Sequence, residues 1–98
     1  MNTRVKDAVV MSFIADALSL GVHWVYDTAL IKDRYGRLEE MTAPELAPFH
    51  QGKPKGAFTH YGDQALVLLR SVSSQKGFDL SHFRAAWCEL FANYTGYV

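Results

Sequence analysis

The tightest constraint on this chain is its first apolar segment. Within residues 3–20, the positions Val5, Ala8, Val9, Val10, Phe13, Ile14, Ala17, Leu18 and Leu20 cover most of the circumference of a helix. A helix apolar nearly all round must be packed on several sides. Thr3 is the expected N-cap and Gly21 the expected stop. The apolar run 8–22 carries Ser12, Asp16 and Ser19, so it is too short and too polar to span a bilayer. Residues 1–7 have some positive charge, but Asp7 and Asp16 interrupt any secretory pattern and no cleavage site follows. The expectation is a buried helix in a soluble protein.

Three more helices follow from capping residues and periodicity. Asp27-Thr28 opens a short helix that runs through Tyr35 and ends at Gly36. From 37 to 62 the periodicity dissolves. Pro44, Pro48 and Pro54 lie here with Gly52, Gly56 and Gly62 among them, marking a long loop with a brief helical turn at Pro44-Glu45-Leu46. Loops this long are uncommon in compact domains and often functional. A third helix is predicted over 63–74 on Ala65, Leu66, Leu68, Leu69 and Val72. The fourth starts at the N-cap Asp79, ends near Asn93, and carries the stripe Leu80, Phe83, Trp87, Leu90, Phe91 and Tyr94. No strand alternation or internal repeat is visible, so the predicted class is all-α: four helices and one Pro/Gly-containing loop. Gly96-Tyr97-Val98 reads as the start of another packed element. Together with the first helix, this leads us to expect that residues 1–98 are the N-terminal portion of one larger domain, incomplete at its C-terminal side.

Charge and cysteine content narrow the function classes. Ten basic and ten acidic side chains cancel without forming runs, giving no electrostatic support for a nucleic-acid or anionic-membrane partner. Cys88 is the single cysteine, which rules out an internal disulfide and suits a cytoplasmic location. With no basic neighbour or helix N-terminus to activate it, it reads as an inert packing thiol, and Trp87 beside it as core.

Four polar residues stand out as site candidates. Asp16 shares a helix face with Val9, Ser12, Phe13 and Leu20, so its carboxylate is expected to be wholly or partly buried and to need a partner. It either caps a neighbouring loop or helix through backbone N–H groups or belongs to a site. Asp63 falls in the first turn of the third helix; either Asp63 or Thr59 is simply its cap, or Asp63 is an oxygen ligand for a hard cation such as magnesium. His23, beside Trp24 and Tyr26, either plugs a loop or meets a nucleotide-like ring as acid or base. His60 sits in the polar stretch before the third helix, and His50 and His60 show no ligand-like spacing to each other.

Ala15-Asp16-Ala17-Leu18 followed by Gly21 resembles the Gly-Asp-Ala-Leu-Gly segment of ADP-ribosylglycohydrolases. The stretch 56–69 is similar to that family's second block, where Thr-Asp-Asp-Thr opens an apolar helix. The run 16–27, His60-Tyr61-Gly62-Asp63-Gln64 and Asn93-Tyr94-Thr95-Gly96-Tyr97-Val98 look closest to its J1-crystallin-like branch. The resemblance implies an all-α orthogonal bundle, usually holding two magnesium ions. It also implies cleavage of the glycosidic bond that joins ADP-ribose to a protein side chain or other acceptor. Partners would then be an ADP-ribosyl small molecule or a modified protein.

Carried over residue by residue, the resemblance implies a metal-ligand role for Asp63, substrate contacts for His23 and His60, and a structural role for Asp16. The pattern is also departed from. With Asp63 matched to the second acid, Gly62 replaces the first, and Tyr61 and Gln64 replace the threonines. The other register matches Thr59 but puts His60 and Tyr61 at the acidic positions. His23 lies where many members have glutamate, and the family's C-terminal acidic cluster has no counterpart here. The readings that follow are a hydrolase, a family member without chemistry serving as a structural or binding protein, or a small helical interaction module. Magnesium is not expected to bind these 98 residues tightly on their own.

Overall fold

The computed structural model describes residues 2–47 and 49–95. Its described residues are helical with no strand: α1 Thr3–Ser19 running into a 3-10 turn Leu20–Val22, α2 Thr28–Tyr35, α3 His60–Gln75 and α4 Leu80–Ala92. The further element expected at Gly96-Tyr97-Val98 lies outside the described residues, as does Pro48.

Capping chemistry explains most boundaries. Asp27 accepts from Leu30 N at 3.1 Å and Asp79 from His82 N at 3.0 Å, each satisfying an N–H with no intrahelical partner. Two starts differ from the sequence reading. Asn2, not Thr3, caps α1, its side chain accepting from Arg4 N at 2.8 Å. The third helix begins at His60 rather than Asp63, because Thr59 is the N-cap and its hydroxyl accepts from Tyr61 N at 3.1 Å. His60, Tyr61 and Gly62 are thereby drawn into the first turn, which still includes Asp63.

Packing centres on α3, which lies against α4 along its length and meets α1 on another side. Polar rungs tie α3 to α4. Ser71 Oγ lies 2.7 Å from His82 Nδ1, Trp87 Nε1 donates to Gln64 Oε1 at 2.9 Å, and the Tyr94 hydroxyl donates to Asp63. Between α1 and the loop, Phe13 and Phe58 pack with ring centroids 5.3 Å apart. The fully buried apolar residues among those described are only Ala17, Leu20 and Ala47. Val5, Val10, Met11 and Ile14 of α1 are exposed.

The molecule is flat, 46 × 35 × 19 Å, with a radius of gyration of 15.3 Å. A compact domain of about 100 residues measures about 13 Å. The α4 stripe is correspondingly only half covered. Phe83, Leu90 and Phe91 are partly buried, while Leu80 and Trp87 are exposed. Cys88 is exposed rather than packed, since α4 presents its other face to α3.

Candidate functional site

The site is organised by a clasp between α1 and the start of α3. Thr59 N donates to Asp16 Oδ2 at 2.9 Å, and Thr59 Oγ1 donates to Asp16 Oδ1 at 2.7 Å. Thr59 is fully buried. Its hydroxyl passes the interaction on by accepting from Tyr61 N, so Asp16 lies against the positive end of α3. A carboxylate with charge-assisted bonds to both oxygens is a strong local anchor.

Gly62 is required by this clasp. A Cβ at that position would overlap Asp16 Oδ2 and come within 2.7 Å of Phe58 Cβ. The position matched to the family's first acid in one register thus has no room for a side chain while Asp16 sits against Thr59.

Asp63 enters an ion pair that the sequence did not reveal. Lys53 Nζ lies 2.6 Å from Asp63 Oδ2 and donates to the Phe58 carbonyl at 2.8 Å. Both side chains are mostly buried, 15% and 21% exposed. Tyr94 completes the group, its hydroxyl donating to the same carboxylate oxygen and its ring 5.5 Å from the Lys53 ammonium. Burial first, then the hydrogen bond to Asp63, pushes the Tyr94 phenol well above its ordinary value. Lys53 belonged to no motif in the sequence, and Tyr94 stood out only as part of the fourth-helix stripe and the resemblance over 93–98; folding brings both to Asp63.

Magnesium asks for near-octahedral oxygen ligation, typically including one or two carboxylates. Here Asp16 offers both oxygens to Thr59, and Asp63 offers Oδ2 to an ammonium and a phenol. The cationic charge beside Asp63 is already supplied by Lys53. This donor set does not fit magnesium.

On the other side of the clasp, the imidazoles of His23, His50 and His60 converge. His60 Nδ1 lies 3.1 Å from His50 Nε2, so two residues without ligand-like spacing in the sequence are neighbours in space. His23 stacks on Trp24, with centroids 4.9 Å apart, and Trp24 lies 4.8 Å from the His60 ring. Trp24 and His50 both have positive φ, 60° and 62°, an uncommon backbone state for side chains this large. Burial is the main reason that all three imidazoles hold their protons less tightly than usual; His50 is lowered to about 4. His60 also borders a cleft of about 350 Å³ lined with Gln64, Trp87 and Phe91. The arrangement combines neutral nitrogen donors with aromatic walls. It can hold a flat ring, a proton in transit or a cation that prefers nitrogen.

The sequence profile of the ADP-ribosylglycohydrolase family matches residues 1–96. Crystallin J1A of Tripedalia cystophora is 34% identical over 96 residues, covering 96% of this chain and 30% of that protein. Crystallin J1B of the same organism is 34% identical over 102 aligned residues, covering 99% of this chain and 30% of that protein. The chain therefore spans under a third of the length of these relatives. No solved structure matches it significantly. A profile match over nearly the entire chain, together with two relatives at this identity, shows that the chain belongs to the ADP-ribosylglycohydrolase family.

Proposed function

We propose that this protein is a non-catalytic member of its family, acting as a structural or ligand-binding protein. The observation that carries this reading is the Lys53–Asp63 ion pair, 2.6 Å long and shielded from solvent. Family hydrolysis depends on metal-held carboxylates that position the ribose and activate water. In this chain the corresponding acid is neutralised internally, and its neighbour is a glycine. The ligand class that goes with family membership is an ADP-ribosyl small molecule or an ADP-ribosylated protein, and the single cysteine goes with a cytoplasmic setting. No helix among the described residues is long and apolar enough to cross a membrane.

Incubation with an ADP-ribosylated protein and magnesium tests the reading. The expected result is no release of ADP-ribose above the uncatalysed rate; magnesium-dependent release would overturn it.

One feature favours the second reading, a hydrolase of the glycosidic bond in ADP-ribosylated substrates. His23 Nε2 is buried with no hydrogen-bond partner among the described residues, beside an aromatic wall, a posture suited to an acid or base awaiting substrate. On that reading, His23→Ala would abolish whatever turnover the incubation detects.

A further inference from the structure

His23, His50 and His60 reach one point from three parts of the chain: the end of the 3-10 turn, the long loop and the first residue of α3. One ring nitrogen from each lies within 4.8 Å of the other two. His50 is 3% exposed and His60 9%. The orphaned His23 Nε2 is costly as it stands, because a buried polar atom without a partner forfeits its hydration.

We propose that His23, His50 and His60 form a binding site for a borderline divalent transition-metal ion of the zinc class, with its fourth coordination position open. Three imidazole nitrogens suit zinc and its neighbours in the first transition row, and do not suit magnesium. Tetrahedral zinc with bonds of about 2.0–2.1 Å places its ligand nitrogens about 3.3 Å apart. The His50–His60 nitrogens, 3.1 Å apart in a hydrogen bond, lie near this spacing; metal binding requires the shared proton to move to the far nitrogen of its ring or to leave. The cluster as a whole, within 4.8 Å, must tighten toward that spacing on binding.

Two further observations point the same way. The lowered proton affinity of all three rings keeps them neutral at neutral pH, which is the form that ligates metal. The positive φ at Trp24 and at His50 shows the fold holding two large residues in a sparsely populated state around this point. Among the surrounding charges, Asp16 and Asp63 favour a cation and Lys53 opposes it. The site shares His23 and His60 with the ADP-ribosyl reading, but its test uses no ADP-ribose, so the two can fail separately.

The chain is titrated with cobalt(II), a coloured substitute for zinc, in a Trp87→Phe background that leaves Trp24 as the fluorescent reporter. One equivalent of cobalt is expected to produce the visible bands of a four-coordinate site and to quench Trp24. Zinc should displace it and magnesium should not. His23→Ala, at the least buried ligand, should weaken binding at least tenfold, whereas His82→Ala on α4 should leave it unchanged. Imidazole nitrogen chemical shifts of the unaltered protein on zinc addition give a readout without any variant; His23, His50 and His60 should move together. Absence of the cobalt bands, shifts confined to His82, or His23→Ala binding as tightly as the parent would overturn the proposal.

Discussion

Asp16 and Thr59 are 43 residues apart in sequence and joined by two hydrogen bonds, one from the Thr59 backbone N–H at 2.9 Å and one from its hydroxyl at 2.7 Å. The second of these residues also caps α3, so the contact that fixes α1 against α3 also sets where α3 begins. Removing either side should unsettle both.

Asp16→Ala is expected to destabilise the chain by about 2–4 kcal/mol, the scale for losing charge-assisted bonds to a part-buried carboxylate. Thr59→Val should cost less, about 1–2 kcal/mol, because the backbone N–H still reaches Oδ2. Urea unfolding monitored by circular dichroism measures both. Equal losses for the two variants would show that the hydroxyl, not the pair of bonds, dominates.

At Gly62, alanine would raise intrinsic helix propensity by about 1 kcal/mol. The clash with Asp16 Oδ2 and Phe58 Cβ outweighs that gain, so Gly62→Ala should be net destabilising by about 1–3 kcal/mol. A double-mutant cycle sharpens the test: the penalty should shrink in an Asp16→Ala background, with a coupling of at least about 0.5 kcal/mol.

Lys53→Met should destabilise by about 2–4 kcal/mol, since it leaves the mostly buried Asp63 with a phenol as its donor. Asp63→Asn should lower the Tyr94 phenol pKa while leaving it above the ordinary value, because burial is the larger cause of its shift. Ultraviolet titration of the phenolate reads this directly. An unchanged midpoint would mean that burial alone sets it.

Stability should fall on mild acidification because of His50. Its folded pKa is depressed from 6.5 to about 4 by burial, then by the charges of His23, His60 and Lys53. Between these values the unfolded chain binds the proton that the folded chain refuses, so stability rises with pH across the window. The contribution is complete above about 6.5, is lost as pH falls toward about 4, and amounts to at most about 3 kcal/mol. Urea midpoints at successive pH values for the parent and for His50→Gln check this; the slope should flatten in the variant.

Local chemistry was readable and long-range assembly was not. Asp27 and Asp79 announced α2 and α4 because a cap acts within three residues of itself. Asp16 was visible as a polar anomaly on an apolar helix, but nothing near it in sequence names Thr59. The start of α3 was misplaced because Thr59 caps through its hydroxyl ahead of a glycine-containing first turn, where apolar periodicity has not begun. His50 and Lys53 were missed for a related reason. Both lie in the punctuated loop, whose path is set by tertiary contacts such as Gln51 donating to the Pro44 carbonyl at 3.0 Å. Spacing along the chain carries no information about which of its side chains meet.

The lack of room at position 62 reaches beyond that residue. In this arrangement, a side chain at 62 would occupy the volume that Asp16 uses to reach Thr59. Any residue larger than glycine at that position therefore requires the junction of α1 and α3 to shift with it, which couples positions 16, 59 and 62 as one unit.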